Sequence, residues 1–200
     1  DGGRNFAPCH VTERMLWDEI LPPFRRAIME GKARGVMPSH SEVNGVPCHA
    51  SYQLLKEILR DKWGFNGVVI SDYYDIGRLE SVHRIADCGL DAAVAALRAG
   101  VDMDLPDGKS YMFLPELCRG NAELSACLDQ AVMRVLRLKF ELGLFEQPFT
   151  DPKKARKLVR CGEHGKLAFR AAAESLVLLK NENGILPLLT SVPLKIAVTG

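Results

Sequence analysis

The sequence predicts an α/β fold made of repeating strand–helix units. Three short apolar runs typical of strands begin near Gly35, Gly67 and Val101, at intervals of 32 and 34 residues. Those intervals match the length of one strand–helix unit. Each run ends in polar residues, and apolar residues recur at helical spacing between the runs. Periodicity alone fits a (β/α)8 barrel and a doubly wound sheet equally well, because both folds are built from such units.

The first half of the chain supplies two predicted helices and two predicted strands. Thr12 can cap the first helix, and Pro22-Pro23 should break or kink it because proline has no backbone N–H to donate. The predicted order is a helix over 12–30, a strand over 35–39, a turn at Asn44-Gly45, a helix over 51–61 with Gly64 past its end, a strand over 67–70 and a loop through Arg78.

The second half begins with one more strand–helix repeat and then changes pattern. A helix over 86–99 closed by Gly100 precedes a third strand over 101–106 with acids near its tip, and a long amphipathic helix over 123–142 ends at Gly143. The segment 149–157 is interpreted as a linker with solvent-facing charges. A helix from Glu163, an apolar run over 176–179 and a final strand over 194–200 predict that a second α/β domain begins near Glu163.

The composition is that of a globular protein, with 47% apolar and 26% charged residues and a net charge of +1. This balance predicts neither a nucleic-acid partner nor a membrane partner, and no apolar stretch is long enough to span a bilayer. Because the chain begins at Asp1 and resembles an excised piece, the lack of a signal peptide decides little. The six cysteines are scattered, which favours mostly buried thiols over a zinc site or a disulfide framework.

Asp72 is the first candidate functional residue. It follows the apolar run Val68-Val69-Ile70 and Ser71, at the position where the predicted central strand ends. Ligands of parallel α/β folds bind at the carboxyl ends of strands, so a carboxylate there is a catalytic candidate. Capping of the next helix by Asp72 is an equally good interpretation of the spacing alone.

Several ordered motifs together resemble glycoside hydrolase family 3, the family of β-glucosidases and β-xylosidases. They are Met37-Pro38-Ser39-His40-Ser41-Glu42-Val43-Asn44-Gly45-Val46-Pro47, Trp63-Gly64-Phe65-Asn66-Gly67, Ser71-Asp72-Tyr73, Gly100-Val101-Asp102-Met103-Asp104-Leu105-Pro106 and Glu174-Ser175-Leu176-Val177-Leu178-Leu179-Lys180-Asn181. The resemblance implies that residues 1–106 are the C-terminal part of a (β/α)8-type barrel domain. It further implies that 107–162 are a helical segment and linker and that 163–200 start an α/β sandwich domain.

The resemblance also implies a reaction. The family includes retaining, exo-acting β-glycosidases that hydrolyse terminal β-D-glucosyl or β-D-xylosyl residues of oligosaccharides or aryl glycosides, without a cofactor or metal. Asp72 matches the family's nucleophile, and the partner acid of the family would lie beyond Gly200. The family is often periplasmic or extracellular, whereas unpaired cysteines favour a cytoplasmic location. Expressed alone, residues 1–200 are expected to be inert and poorly folded.

Four further residues match positions near the family's substrate. Tyr73 can stack on a sugar, and Arg78 can donate to sugar hydroxyls or hold the loop acids. Met37 and His40 lie in the segment that borders the nucleophile, where His40 replaces the family's tyrosine and is expected within hydrogen-bond reach of Asp72. Two more departures accompany this one: Ser41 replaces a common asparagine, and Asp75 replaces a frequent glycine.

Two other functions compete with a glycosidase. A metal-dependent barrel enzyme would use His40, Asp72, Asp102 and Asp104, although their spacing matches no common metal motif. A non-catalytic sugar-binding relative would account for the departures at His40, Ser41 and Asp75. Loss of activity on chelation would favour the first, and glycan binding without turnover would favour the second.

Overall fold

The computed structural model describes residues 4–189, 191 and 193–197, and the chain divides into two compact units, Asp1–Pro148 and Phe149–Gly200. The first unit contains four short strands, β1 (Gly35–Val36), β2 (Glu42–Val43), β3 (Val46–Pro47) and β4 (Val68–Val69). Its helices are α1 (Glu13–Met15), α2 (Leu21–Met29), α3 (Asp75–Ser81), α4 (Gly89–Ala99), α5 (Leu114–Leu117) and α6 (Ala122–Glu141). Two π-helical segments, Leu16–Ile20 and Gln53–Lys62, and a 3-10 turn, Cys48–Ala50, complete the unit.

The three predicted parallel strands lie side by side in chain order. β1 pairs with β4 in parallel, with Gly35 opposite Val68, and a single parallel bridge joins Ile70 to Met103. The third segment is held by its main chain, since the Asp102 N–H donates to the Val69 carbonyl at 2.8 Å. The α/β class is therefore confirmed, and the order brings the carboxyl ends of the three segments to one edge.

The first helical stretch changes type where the prolines lie. Thr12 caps α1 by accepting a hydrogen bond from the Met15 N–H, as predicted. The chain then winds as a π-helix from Leu16 to Ile20 before α2 begins at Leu21, with Pro22-Pro23 in its first turn. Proline is tolerated there because the first N–H groups of a helix have no helical partner.

Two segments expected to be irregular are helical. Arg78, predicted in a loop, lies in α3. The predicted linker 149–157 contains α7 (Pro152–Leu158), which Asp151 caps through the Lys153 N–H. In α7, a proline at the first position and a capping carboxylate favour a helix over the linker that the charge run suggested.

The core of the first unit surrounds the central strand. Val68, Val69 and Val101 are fully buried, and Ile58, Leu79 and Ala96 from the flanking helices pack in the same core. At the hairpin, Asn44 and Gly45 both have positive φ, as the predicted turn between β2 and β3 requires. The packing fixes the ends of β1 and β4, and with them the side chains that follow.

The second unit is helical over its described residues, with α7, α8 (Gly162–Ser175) and a 3-10 turn at Glu182–Gly184. The predicted run over 176–179 forms no strand, and its four side chains are exposed. The final predicted strand is also not formed over 194–197, and its residues 198–200 lie outside the described part of the chain. The strand prediction is therefore wrong over 194–197, because a strand needs a paired neighbour to satisfy its backbone groups.

The cysteine prediction is only half right. All six thiols are free, but only Cys48 and Cys118 are buried, and Cys88 is exposed. Burial raises the pKa of the Cys48 thiol to about 11, so this group is protonated and unreactive near neutral pH. Of the other thiols, Cys9 lies at an isolated bridge to Val43, Cys88 and Cys161 lie at helix N-termini and Cys127 lies on a half-buried helix face, which the sequence pattern did not distinguish. No described helix has the length and apolar content needed to cross a bilayer.

Candidate active site

Asp72 lies at the carboxyl end of the central strand, where Ser71 fixes the backbone. The Ser71 N–H donates to the Met103 carbonyl at 2.9 Å, and the Ser71 hydroxyl oxygen accepts from the Leu105 N–H at 2.8 Å. The Asp72 side chain is 32% exposed, and its Oδ1 accepts from the Tyr73 N–H at 2.6 Å. Asp72 does not cap α3, because the capping position belongs to Tyr74 in a left-handed conformation.

His40 lies between two carboxylates. Its Nε2 is 2.8 Å from Asp72 Oδ2, and its Nδ1 is 2.6 Å from Asp75 Oδ2. The predicted proximity of His40 to Asp72 is therefore confirmed. A neutral imidazole has a single N–H, so with both acids ionised the two hydrogen bonds form together only when both ring nitrogens carry a proton. The arrangement directs one ring nitrogen at the candidate nucleophile and the other at Asp75.

Asp75 is the most enclosed acid of the cluster, at 3% exposure. Besides His40, it contacts Arg78, whose Nη1–H donates to Asp75 Oδ1 at 2.6 Å and to the Tyr73 carbonyl at 3.0 Å. Asp75 therefore does not face water but adds a buried negative charge near the candidate nucleophile. A buried carboxylate requires partners of opposite charge, and Asp75 has them on two sides.

His49 contacts both acids of the cluster and was not predicted by the sequence analysis. The Asp72 N–H donates to His49 Nε2 at 3.1 Å, and His49 Nδ1 lies 3.5 Å from Asp75 Oδ2. Burial lowers the pKa of His49 below its ordinary value, against the opposing effect of Asp75 and Asp72. A neutral ring with its proton on Nδ1 fits both contacts. No sequence signal pointed to His49, because it lies in the 3-10 turn after β3 and belongs to no catalytic motif.

Phe6 and His83 also contact His40, and Arg78 packs on Phe6. The Phe6 ring centroid lies 5.0 Å from that of His40, and Arg78 Cζ lies 5.0 Å from the same Phe6 centroid. His83 Nε2 donates to the His40 carbonyl at 3.2 Å, and its Nδ1 lies 3.6 Å from Glu42 Oε2. Phe6 and His83 were not predicted either, since isolated aromatic and histidine residues carry no motif.

The predicted substrate-contacting residues differ in exposure and in their contacts. Tyr73 follows it directly and is 56% exposed, and Met37 follows β1 and is 52% exposed. Arg78 contacts a loop acid, which is one of its two expected roles. An apolar cavity of about 750 Å³ includes Met37 and Ser39 in its lining but neither Asp72 nor His40. Its mainly aliphatic walls suit packing against protein chain better than binding of a polyhydroxylated sugar.

The four residues of the metal hypothesis are not brought together. Asp102 is buried between Arg60 and Arg134, and Asp104 accepts from the Ser110 N–H at 2.7 Å in a separate loop. Burial raises the pKa of Asp104 above its ordinary value, partly offset by hydrogen bonds from Ser110 and Tyr111.

A different trio, His40, Asp72 and Asp75, has candidate ligand atoms within 4.8 Å of one another among the described residues. The imidazole stands between its two acids there, with each nitrogen directed at a carboxylate oxygen. A cation could be bound only if it displaced one of those protons.

The geometry can be compared with known proteins. The model of the glycosyl hydrolase family 3 N-terminal domain matches residues 1–138. This chain belongs to glycosyl hydrolase family 3. The resemblance drawn from the motifs is thereby confirmed. Among curated relatives of this family 3 chain, a putative β-xylosidase from Formosa agariphila is 46% identical over 199 residues, covering 100% of this chain and 26% of that protein.

Other family 3 members agree. A lysosomal β-glucosidase from Dictyostelium discoideum is 37% identical, covering 99% of this chain and 24% of that protein. A β-glucosidase structure from Erythrobacter marinus superimposes with a TM-score of 0.85 at 47% identity, covering 94% of this chain and 25% of that one. A β-glucosidase from Listeria innocua in complex with glucose gives a TM-score of 0.80 at 31% identity, covering 92% and 25%. The family 3 chain thus spans about a quarter of the length of these relatives.

Proposed function

We propose that the full-length protein is a retaining, exo-acting β-glycosidase with Asp72 as its nucleophile. The observation that carries the proposal is the position of the Asp72 carboxylate at the end of the central strand, one-third exposed and oriented by the Tyr73 N–H and by His40. A partly solvated carboxylate held at a strand end can approach a substrate without disturbing the core.

The proposed reaction has two steps. In the first, a carboxylate oxygen of Asp72 forms a bond to the anomeric carbon while the glycosidic C–O bond breaks and a second carboxylic acid protonates the departing oxygen. In the second, water attacks the anomeric carbon, the ester bond to Asp72 breaks, and the former acid takes the proton from water. We place that second carboxylic acid in a part of the protein beyond Gly200.

The substrate we propose is an oligosaccharide or aryl glycoside with a terminal β-D-glucosyl or β-D-xylosyl residue. The names of the relatives include both β-glucosidases and β-xylosidases, so the choice of sugar stays open. Tyr73 and Met37 are exposed beside Asp72 and are proposed to contact the sugar through their apolar surfaces. His40 and Arg78 complete the proposed set, with Arg78 acting at least in part through Asp75.

The domain assignment that accompanies this function is also a proposal. We assign 1–106 to the end of a (β/α)8-type barrel, 107–162 to a helical segment and linker, and 163–200 to the start of an α/β sandwich. The parallel order of the three strand segments supports the first part. The separation of a second compact unit after Pro148 supports a division of the chain.

Covalent labelling tests the function. The full-length protein is incubated with 2,4-dinitrophenyl 2-deoxy-2-fluoro-β-D-glucoside and with its xyloside counterpart, and the digested protein is mapped by mass spectrometry. We expect one sugar on the peptide that contains Asp72, its loss in Asp72→Asn, and its retention in Asp61→Asn, which changes an exposed acid on another element. Labelling of a different carboxylate would contradict the nucleophile assignment. Sugar binding without labelling or turnover would favour the non-catalytic relative.

A further inference from the structure

Besides the candidate nucleophile, the cluster around Asp72 contains a second carboxylate, that of Asp75. Asp75 stands three residues after Asp72, at the first position of α3, and is almost fully buried. It neither faces solvent nor lies exposed beside the nucleophile. Its two oxygens instead accept from His40 Nδ1 and Arg78 Nη1, each at 2.6 Å. Asp75 is therefore connected to the Asp72 carboxylate through the His40 ring, while His49 links Asp75 to the Asp72 main chain.

The proton count of the cluster follows from these contacts. With His40 doubly protonated, two anions, Asp72 and Asp75, are balanced by two cations, His40 and Arg78. A neutral His40 would leave an unprotonated nitrogen facing a carboxylate oxygen at less than 3 Å, and one negative charge in excess. Because Asp75 is buried, it gains more from the imidazolium than an exposed acid would.

The other groups around His40 do not supply this charge. His83 donates to the His40 carbonyl and faces Glu42 on its other side. His49 is neutral, since burial lowers its pKa, and its Nε2 accepts from the Asp72 N–H. Phe6 offers an apolar ring face. Among the described residues that face His40, Asp75 and Asp72 are thus the anions that directly contact its ring.

We propose that Asp75 is a positioning residue for the second half of the reaction: through His40 it keeps a proton directed at the nucleophile, and that proton speeds the release of Asp72 from the glycosyl-enzyme. The inference rests on the proposed function of Asp72. When Asp72 forms the ester bond, it loses its negative charge. The cluster is then left with one positive charge in excess. When water attacks and the C–O bond to Asp72 breaks, the electron pair returns to the carboxylate and restores the balance beside His40.

The same hydrogen bond has a smaller effect on the first half. It stabilises the Asp72 carboxylate before attack, which lowers the nucleophilicity of that carboxylate, so any gain in the first step is limited. Asp75 should therefore change the balance between the two steps rather than the rate of both. A residue with a purely structural role would lower both steps together through loss of folded protein.

The test is transient kinetics on the full-length protein with a 2,4-dinitrophenyl β-glycoside, whose leaving group departs without a proton. In Asp75→Asn we expect kcat, set by deglycosylation, to fall by about tenfold or more, as loss of a charge-assisted hydrogen bond implies. We expect kcat/KM, which reports glycosylation, to change by less than about threefold. The burst of dinitrophenolate should become larger as the ester accumulates.

Two further variants make the result decisive. Glu80→Gln removes an exposed acid from the same helix and should leave both constants unchanged. His40→Gln retains one N–H donor without the positive charge and should reproduce the split, which carries the test if Asp75→Asn does not fold.

The possible outcomes distinguish a failure of this inference from a failure of the proposed function. If the fluoro sugar labels Asp72 but the variants lower kcat and kcat/KM equally, or leave both unchanged, the role of Asp75 is overturned and the nucleophile assignment stands. If the fluoro sugar labels another carboxylate, the nucleophile assignment and this inference both fail. Labelling at Asp72 with a selective loss of kcat supports the inference.

Discussion

Two acids lie on neighbouring strand segments of this chain, Asp72 after the central strand and Asp102 near the start of the third segment, and their surroundings differ completely. Asp102 is fully buried at its side chain, where Oδ2 accepts from Arg60 and from the Val69 N–H, and Oδ1 accepts from Arg134. Asp72 is one-third exposed and contacts a histidine, a group that can exchange protons near neutral pH. An acid on a strand segment is therefore a reactive group only where its partners leave it accessible.

The cationic side chains that contact the two acids also differ in kind. Arg60 and Arg134 join the segment Gln53–Lys62 and α6 to the third strand segment through a single carboxylate. Burial lowers the pKa of Arg60 while Asp102 raises it, so the pair is an anchor that holds its charge. Around Asp72 the cationic group in contact is His40, which can lose its charge. We therefore assign structure to the first cluster and chemistry to the second.

The largest expected effect is on activity. Asp72→Asn in the full-length protein should lower kcat by several orders of magnitude, because an amide does not attack the anomeric carbon. Folding should be nearly unchanged, since the Asp72 side chain contributes little to the core. Steady-state assays and the thermal unfolding midpoint measure the two effects. A variant that kept a tenth of the activity would contradict the contrast between the clusters.

The reverse pattern is expected at the other cluster. Asp102→Ala leaves Arg60 buried without its anion and should destabilise the first unit by about 3–5 kcal/mol. Hydrogen exchange of the Val69 amide, which donates to Asp102, measures this locally. Asp61→Ala, at an exposed acid, serves as control. Unchanged protection at Val69 would show that Asp102 is not an anchor.

A pH profile sharpens the role of His40. With His40→Tyr the nucleophile loses the imidazole nitrogen that lies 2.8 Å from its Oδ2, so the acidic limb of the kcat/KM profile should change. His10→Gln changes an exposed histidine and should leave the profile as it is. If the His40→Tyr profile coincided with that of the wild type, His40 would have only a packing role.

The smallest effect concerns stability near the site. His49 is neutral in the folded protein because burial lowers its pKa, whereas the unfolded chain takes up a proton near its ordinary value of 6.5. The folded state should therefore lose stability as pH falls below about 6.5, by at most ~1.4 kcal/mol per pH unit from this group. In His49→Gln, unfolding midpoints measured between pH 5 and 7 should decline less steeply. An identical slope would mean that the pKa of His49 does not differ between the folded and the unfolded states.

The sequence predicted the parts of this picture that depend on local pattern. The strand–helix spacing, the cap at Thr12, the turn at Asn44-Gly45 and the acid at the end of the central strand all follow from periodicity or from side-chain chemistry. Family motifs added the family and the proximity of His40 to Asp72. These features depend on residues that are close in sequence or lie in a known motif.

The remaining features depend on tertiary packing. Asp72 and Asp102 are both acids on predicted strand segments, and long-range partners, Arg60 and Arg134 on distant helices, separate anchor from candidate nucleophile. His49 and Phe6 reach the cluster from segments without any catalytic pattern. The apolar run over 176–179 has strand composition but no partner in the described chain, and pairing, which sequence composition does not specify, decides its conformation.

Chemical rescue tests the central claim, that Asp72 is the reactive acid, most directly. Asp72→Ala is assayed in the full-length protein with a 2,4-dinitrophenyl β-glycoside, with and without sodium azide, and the product is examined by NMR. If Asp72 is the nucleophile, azide attacks from the side that the carboxylate occupied, so the rate rises with azide concentration and an α-glycosyl azide forms. A rate that does not respond to azide, or a β-configured azide product, would contradict the assignment of chemistry to this cluster.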